Sequence, residues 1–431
     1  MTRIVLNPYR ANPLKPASAD ISLWREIFLY LLLFGLEFDI RLGGALTLRK
    51  IVFVAMLLFI GWKGVPRGLP FRRELIPLVG WTAALFAYGV YIQHTRAYNA
   101  AIEGNQAFTV TQLLGQCLFL IVFPLLLTWV FDSAEEFLHV QLAVLTTQAI
   151  VAVLSRFSGA FRMFIYYHFV PDSDGRLEAG MASGTRVGML GAAGATGSWI
   201  LFIGCALCFY FAWKTRKVCY LLLYFVFLLS LMFVGRTGLY MGLALLVLLL
   251  FHLLVQSTGF AVRLICFGVL GLLALAAYVL FAPDSYLKQT TIRWVGEIFI
   301  KGVGEGSTVQ ILVDMGIPPL TEETFWGTGI MTGTTVHGIS TFSDVGYVRY
   351  YMALGMVGAV LYYLWAYGFL AYERFRIRDR FTKRAAGLFL LFLMIAELKE
   401  PFLQKTPNAM FLASWLLLQR KEEEKSGGSH V

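Results

Sequence analysis

The sequence predicts an all-α integral membrane protein that crosses the bilayer about twelve times. Hydrophobic residues make up 58% of the 431 residues and charged residues only 14%, whereas a soluble protein of this length needs far more polar residues to cover its surface. Apolar runs of roughly 18 residues or more, each long enough to span a bilayer, recur along the chain. The net charge of +10 therefore indicates membrane topology rather than nucleic-acid binding.

The apolar runs define a single transmembrane domain over about residues 22–420. Its predicted spans lie near 22–38, 48–62, 74–92, 109–131, 137–155, 187–213, 218–234, 237–255, 261–281, 344–372, 384–400 and 407–419. A polar, Pro-rich segment (1–21) precedes the domain, and a charged tail (421–431) follows it. The first segment has no apolar core or cleavage site, so we expect no signal peptide.

Lysine and arginine predict the orientation of these spans. The basic segments that would share one side of the membrane are the amino-terminal segment, residues 63–73, "KTRK" (214–217), "ERFRIRDRFTKR" (373–384) and "QRKEEEK" (419–425). The positive-inside rule then places both termini in the cytoplasm. The acidic loop "DSAEE" (132–136) is an exception on that side, and acidic residues have little weight in this rule.

Two large loops, about 156–186 and about 282–343, are left on the outer side. The first contains "FRMFIYYHF", and the second contains a helical stretch, "SYLKQTTIRWVGEIF", followed by turns rich in Gly and Thr. Loops of this length between packed elements usually carry function. No internal repeat divides the chain into two halves, which argues against a transporter built from repeats.

The sequence offers little for metal, nucleotide or disulfide chemistry. The five cysteines lie within or at the ends of apolar spans, which predicts no disulfide framework. No pair of histidines has metal-ligand spacing, and "PDSDG", with Asp172 and Asp174, is more typical of a turn than of a divalent-cation site. No phosphate-binding loop is present. We therefore expect no metal and no cofactor.

Several arginines fall at the predicted outer ends of spans. Arg236 lies between spans seven and eight in "MFVGRTGLYMGL", Arg186 closes the first outer loop, and Arg349 lies just inside span ten. A single interfacial arginine can extend to lipid phosphates. Several near two large loops favour an anion site, because guanidinium groups bind phosphate oxygens bidentately. Gly235 and Gly238 would let a ligand approach the backbone.

Groups suited to proton transfer occur in the same outer layer. His337 and Asp344 precede span ten, and either could take a proton from a hydroxyl. For a single histidine, stabilisation of a turn is the favoured alternative. Glu37 and Glu397, near the outer ends of spans one and eleven, are further candidates.

Three stretches near the outer loops carry recognisable motifs. They are "TRVGMLGAAGATGSW" (185–199), "GRTGLYMGLALL" (235–246), and the ordered set "IRWVGEIF", "PPLTEETFWGTG" and "HGISTFSDVGYVRYYMALGMVGAVL" within 292–361. Together they resemble the bacterial O-antigen and capsular polysaccharide polymerases of the Wzy type and the related O-antigen ligases. The resemblance covers mainly 180–370. The ligases often have His-Asn where this chain has His337-Gly338, and "SDVGYVR" is closer to the polymerases.

The resemblance implies a metal-independent helical glycosyltransferase of the GT-C type in a bacterial inner membrane, with its active site facing the periplasm. The substrates would be oligosaccharides linked through pyrophosphate to undecaprenol. The acceptor hydroxyl attacks the anomeric carbon of the growing chain, and undecaprenyl pyrophosphate leaves. The product would be O-antigen, capsule or exopolysaccharide. Membrane lipid, a flippase and a chain-length regulator would be partners, and no cofactor or nucleic acid is implied.

The candidate residues fit distinct roles in such a reaction. The arginines that would stabilise the pyrophosphate leaving group are Arg186, Arg236, Arg349 and Arg293. His337 or Asp344 would deprotonate the acceptor, with Glu397 and Glu37 in reserve. The aromatic residues that could stack on sugar rings are Trp294, Trp326 and Tyr347, although anchoring at the membrane interface explains them equally well.

Two other functions compete with the polymerase. An O-antigen ligase would move finished polymer onto lipid A core. A flippase or exporter of lipid-linked sugars is expected to carry cationic residues deep in its spans, whereas here the ionisable residues are concentrated in the outer layer.

Overall fold

The computed structural model describes residues 23–38, 40–43, 46–63, 76–169, 182, 187–189, 194–215, 217–256, 277, 281, 316–403 and 407–427. Its helices are α1 Leu23–Glu37, α2 Leu48–Lys63, α3 Ile76–Thr95, α4 Ala97–Ala100, α5 Val110–Cys117, α6 Phe123–Val130, α7 Ala134–Phe157, α8 Gly159–Phe169, α9 Gly194–Thr215, α10 Val218–Val234, α11 Arg236–Gln256, α12 Glu322–Trp326, α13 Gly346–Arg376, α14 Arg380–Ala396 and α15 Pro407–Gly427. A π-helical turn, Leu118–Val122, joins α5 to α6.

The helices confirm the prediction of a helical membrane protein. Five helical segments in the described chain are long and apolar enough to cross a membrane: Ile76–Thr95, Val110–Val130, Ala134–Phe157, Thr196–Thr215 and Gly346–Arg376. All the predicted spans except the ninth overlap a helix. The ninth, 261–281, lies outside the described residues apart from Ala277 and Phe281. The number of twelve spans and the GT-C architecture stay predictions.

Five short strands add two small antiparallel sheets that the hydropathy pattern did not predict. Strands β1 (Arg41–Gly43) and β2 (Leu46–Thr47) form a hairpin between α1 and α2. The second sheet has the order β3–β4–β5 and is built from β3 Gln106–Ala107, β4 Ile330–Thr334 and β5 Ser340–Thr341. We call residues 316–345 the strap. Since β4 and β5 belong to the strap, this sheet joins it to the chain that precedes α5.

Helix α9 lies at the centre of the bundle and is the most buried of the five long segments. It packs against α7, α10 and α11. Around Trp199 the core is aromatic, because its ring lies 5.0 to 5.7 Å from the ring centroids of Phe202, Phe389 and Phe402. The last two rings bring α14 and the chain before α15 into the same core.

The acidic loop 132–136 neutralises basic residues at one end of the bundle. Arg25 at the start of α1 pairs with Asp132 at 2.6 Å and with Glu136 at 2.8 Å. Lys214 at the end of α9 pairs with Glu135 at 3.0 Å. The exception in the charge pattern is therefore a partner for the basic residues of the segments predicted to share its side.

The charged end of α15 joins the same region. The Glu423 carboxylate accepts hydrogen bonds from the backbone N–H groups of Arg378 (2.7 Å) and Asp379 (3.0 Å). The Glu422 carboxylate accepts one from the N–H of Ala134 at 2.8 Å. The α13–α14 loop, the start of α7 and the end of α15 thus lie together, and the compartment that this end faces stays a prediction.

Candidate functional site

Helix α13 is broken at Gly355, whose φ of +72° lies in the left-handed region. At this position the strap meets the helix: a Cβ added to Gly355 would lie 2.4 Å from the backbone nitrogen of Gly327. Gly327 has a φ of +113° and is also close-packed, since its own Cβ would lie 2.7 Å from the carbonyl carbon of Leu354. The two glycines therefore allow backbone-to-backbone contact that no side chain would permit.

The strap and α3 satisfy the carbonyl groups at this break. The hydrogen bonds, each 3.0 Å long, run from Thr328 N–H to Met352 O, from Gly329 N–H to Ala353 O, and from Tyr88 Oη to Leu354 O. Irregular backbone is tolerated at membrane depth only where protein or a polar cavity supplies partners. The strap is accordingly part of the helical domain rather than a loop lying over it.

Two asparagines hold the strap in place. The buried Asn99 amide donates to Glu323 Oε1 and to the Thr328 carbonyl, both at 2.9 Å. Asn105 donates to the carbonyl of Thr334 at 2.8 Å and accepts from its N–H at 2.9 Å. Both asparagines lie between α3 and α5, so the strap is fixed to the segment that directly follows the helix contacting the break in α13.

Asp344 and Arg349 form an ion pair at the beginning of α13. Arg349 Nη2 lies 2.7 Å from Asp344 Oδ1, and Arg349 Nε donates to the Ser343 carbonyl at 2.9 Å. The arginine side chain is 21% exposed and the aspartate side chain 48%. In the described part of the chain, Arg349 Nη1 has no hydrogen-bond partner. The pair therefore presents both a cation and a carboxylate to the surroundings.

Glu397 is buried directly behind this ion pair. Its carboxylate accepts hydrogen bonds from the Tyr363 hydroxyl and from the Leu403 N–H, each at 3.0 Å, and its carbonyl accepts from the N–H of Gly346 at 2.9 Å. The hydroxyl of Tyr347 donates to the Met394 carbonyl at 3.0 Å. Glu397 and Tyr347 thus fasten the start of α13 to the end of α14.

Stacked tyrosines make the support rigid. The rings of Tyr350 and Tyr362 stack at 4.1 Å, and those of Tyr363 and Tyr367 at 5.7 Å. The ring of Tyr347 lies 4.7 Å from that of Tyr363. The hydroxyl and the ring of Tyr347 both contact other residues of the protein. Its predicted stacking on a sugar ring stays a prediction.

Replacement of Gly346 by alanine is expected to separate α13 from α14. The new Cβ would lie 2.5 Å from Glu397 Oε1 and 2.8 Å from the Cα of Pro401, and overpacking of this kind destabilises a protein by about 1 to 3 kcal/mol. Thermal unfolding of the detergent-purified protein measures the change.

Gly368→Ala is the matched control for Gly346→Ala, because it lies in the same helix and its added Cβ would have nothing within 4 Å. A Gly346→Ala protein that unfolds at the temperature of the control would contradict the assigned contact.

His337 lies apart from this cluster, at the turn between β4 and β5, where its side chain is exposed. No described residue hydrogen-bonds to its ring. The turn is closed by the hydrogen bond from Thr335 N–H to the Ile339 carbonyl at 2.8 Å, and the left-handed residue is Gly338, with a φ of +79°. The backbone, rather than the imidazole, stabilises the turn.

Glu37 also lies in a different environment, since it is buried between α1 and α7. The Gln141 amide donates to Glu37 Oε1, and the guanidinium of Arg49 donates to the carbonyls of Leu36 (3.0 Å) and Glu37 (3.4 Å). Among the described residues no hydrogen bond or ion pair joins Glu37 to Glu397 or to the Asp344–Arg349 pair.

The other candidates are only partly visible in the structure. Arg186, Arg293, Trp294, Asp172 and Asp174 lie outside the described residues. No group of three or more His, Cys, Asp or Glu residues that could hold a metal ion occurs within the described ranges.

Arg236 is the first residue of α11, directly after the extended Gly235. The expectation that Gly238 admits a ligand is not supported: a Cβ there would lie 2.2 Å from the Ser198 carbonyl oxygen. Gly238 therefore serves the packing of α11 on α9.

Sequence reasoning missed the residues that seat the strap. Gly355 lies within an apolar run read as one uninterrupted span, although a glycine in such a run is a possible break. Asn99 and Asn105 carry no motif. The sequence likewise gives no reason to single out Arg96, which follows α3 and packs against Gly329.

These features define a class of protein, namely a helical membrane protein in which a strap is bound to a broken membrane helix. Beside the strap lies a half-exposed arginine–aspartate pair. No protein-family model, no curated protein and no solved structure matches the chain. The family resemblance therefore rests on the sequence motifs alone.

Proposed function

We propose that the protein is a membrane glycosyltransferase that polymerises undecaprenyl-pyrophosphate-linked repeat units into O-antigen, capsule or exopolysaccharide at the periplasmic face of a bacterial inner membrane. The observation that carries the proposal is the ion pair of Asp344 and Arg349, at 2.7 Å and partly exposed, inside the motif "SDVGYVR". It brings together the two kinds of group that such a reaction requires, a cation for the leaving group and a base for the acceptor.

Arg349 would stabilise the negative charge that develops on the departing pyrophosphate. Preorganised cations at the position of developing charge are usually the largest single contribution to catalysis. The guanidinium is preorganised, since Nε is held by the Ser343 carbonyl and Nη2 by Asp344. Arg186, Arg236 and Arg293 are the further arginines proposed to contact the pyrophosphate.

Asp344 would accept the proton of the acceptor hydroxyl. When pyrophosphate binds to Arg349 it competes with Asp344 for the guanidinium, which turns the carboxylate toward the acceptor. The acceptor oxygen then bonds to the anomeric carbon of the donor, the bond from that carbon to the pyrophosphate oxygen breaks, and undecaprenyl pyrophosphate leaves. His337, on the exposed turn, is the alternative base. Neither a metal nor a cofactor takes part in these steps.

Glu397 and Gly346 support the proposal indirectly, because they fix the first turn of α13 that carries Arg349. A buried carboxylate that is fully engaged by Tyr363 and Leu403 is better suited to position the pair than to transfer a proton itself. Glu397 is therefore assigned a positioning role. Glu37 does not share this role, because it contacts Gln141 and Arg49 rather than the first turn of α13.

The test is polymerisation by the purified protein. One authentic undecaprenyl-pyrophosphate repeat unit is added without metal or nucleotide, and the products are separated on a gel. The wild type is expected to form a ladder of products. Arg349→Ala is expected to lower the polymerisation rate by about 100-fold or more. Asp344→Asn is expected to abolish polymerisation, and activity that remains in this variant would identify His337 as the base. Arg380→Ala, at an exposed arginine on α14, is the control and is expected to leave the rate unchanged.

The same assay separates the proposal from its competitors. Absence of a ladder from authentic repeat units, followed by transfer once lipid A core is added, would identify a ligase. Movement of the lipid-linked unit across the vesicle membrane, without formation of a glycosidic bond, would identify a flippase. Either result would overturn the polymerase assignment.

A further inference from the structure

Helices α3 and α13 pack against each other along a seam. The indole N–H of Trp81 donates to the Leu361 carbonyl at 3.2 Å, and that of Trp365 donates to Thr82 Oγ1 at 2.9 Å. At Gly358 a Cβ would lie 2.3 Å from the ring of Tyr88. The two helices therefore contact each other directly.

Apolar side chains are exposed on the surfaces of both helices. On α13 they include Met356, Val360 and Leu364, which recur every four residues and so share one face of the helix. Trp81 lies beside them on α3 and is also exposed. Helix α3 is the least buried of the five long segments. In a bilayer this surface contacts lipid chains directly.

Arg96 lies at one end of the seam, immediately after α3. The helix has 20 residues, or about 30 Å at 1.5 Å per residue, which is the thickness of the bilayer hydrocarbon. The residue that follows it is therefore at the level of the lipid headgroups. Its guanidinium donates to the Tyr98 hydroxyl at 2.7 Å, and in the part of the chain that the structure describes it has no other hydrogen-bond acceptor.

The residues around Arg96 hold its side chain in place, but no carboxylate among the described residues forms an ion pair with it. Its Cβ packs against Gly329 of the strap, where an added Cβ would lie 2.9 Å away. The carboxylate of Glu323 interacts electrostatically with Arg96, but it is buried and accepts hydrogen bonds from Asn99 and Thr335. The exposed aromatic rings of Tyr91 and Trp326 flank the same end of the seam, as is typical of the membrane interface.

We propose that Arg96 binds the phosphate of an anionic membrane phospholipid whose acyl chains lie on the exposed apolar surface of α3 and α13. The guanidinium supplies donors in the fork geometry that phosphate oxygens accept, and Met356, Val360 and Leu364 supply apolar surface for the chains. Because the strap contacts Arg96 through Gly329, the bound lipid stabilises the strap on α13. This inference does not depend on the proposed enzymatic function.

The experiment is a lipid titration of the full-length protein in detergent, followed by native mass spectrometry and by thermal unfolding. The probes are dioleoyl phosphatidylglycerol, dioleoylglycerol, which lacks the phosphate, and undecaprenyl phosphate. For the wild type we expect one phosphatidylglycerol to bind first and to raise the unfolding temperature, with no competition from dioleoylglycerol. Arg96→Ala is expected to weaken this first binding step at least tenfold and to remove the temperature shift.

Arg380→Ala, an exposed arginine on α14, is the matched control and is expected to bind as the wild type does. Should Arg96→Ala fail to fold, Arg96→Gln retains a long polar side chain and carries the same expectation. Wild-type affinity in the Arg96 variants, equal competition by dioleoylglycerol, or displacement of phosphatidylglycerol by a tenth of its concentration of undecaprenyl phosphate would each overturn the proposal.

Discussion

Replacement of Gly355 by alanine is expected to release the strap from α13 and to destabilise the protein by about 3 to 5 kcal/mol. Part of this loss is the backbone conformation, since a φ of +72° with a ψ of 176° is essentially confined to glycine and is unfavourable by about 1 to 3 kcal/mol for a residue with a Cβ. The larger part is steric: the new Cβ would lie 2.4 Å from Gly327 N and 2.5 Å from the Phe325 carbonyl oxygen. These are backbone atoms, which cannot move aside as a flexible side chain could.

Thermal unfolding and limited proteolysis measure this effect, with Gly338→Ala as the control. Gly338 has a similar φ of +79°, but a Cβ there would have nothing within 4 Å. The control is therefore expected to lose only the conformational part, about 1 to 2 kcal/mol. If both variants unfold alike and the strap of Gly355→Ala is cleaved no faster than that of the wild type, the strap is not seated as described.

Replacement of Arg420 by leucine is expected to destabilise the opposite end of the bundle by about 3 to 5 kcal/mol, the effect of leaving one partner of a buried ion pair uncompensated. Arg420 Nη1 lies 3.0 and 2.9 Å from the two carboxylate oxygens of Glu373, whose side chain is 2% exposed. The Arg420→Leu, Glu373→Leu double variant is expected to recover most of the lost stability, because hydrophobic packing can replace such a pair.

The exposed pair of Lys214 and Glu135 is the control for this double-mutant cycle. Its side chains are 36% and 47% exposed, so Lys214→Ala is expected to change the free energy of unfolding by about 1 kcal/mol or less. A loss for Arg420→Leu as small as that for Lys214→Ala would contradict the buried pair, as would a double variant that recovers no stability.

The sequence predicted the helices well, because apolar length and charge are properties of short segments. The basic segments and the acidic loop 132–136 do meet, through contacts such as that of Arg25 with Asp132. The break in α13 was not predicted, because hydropathy averages over the backbone geometry of a single glycine, although Gly355 itself was a possible signal. The small sheets were not predicted for a related reason. Strands β3 and β4 are too short to show an alternation of apolar and polar residues, and their pairing joins segments more than 200 residues apart.

The parts of the candidate site that are close together in the sequence could be predicted, and the contacts between distant segments could not. Asp344 and Arg349 are five residues apart at a helix start, so their proximity follows from the sequence. The link from Glu397 to Gly346 depends on how α14 turns back on α13, which no local pattern specifies. Arg96 was overlooked because a single arginine after an apolar run is ordinary. Its contact with Gly329 of the strap can be recognised only in the structure.

The pairing of α3 with α13 has a consequence for biogenesis. Trp81 and its acceptor Leu361 are 280 residues apart, and at about 5 to 20 residues per second the ribosome needs roughly 14 to 56 s to synthesise the partner. During that interval the nascent α3 is without α13 and can pack only on partners synthesised earlier, such as α5. It is suited to this, because the Thr82 hydroxyl is satisfied within the helix by the Leu78 carbonyl at 2.7 Å. Helix α3 therefore enters the membrane long before α13, and the strap takes its place only after α13 has been synthesised.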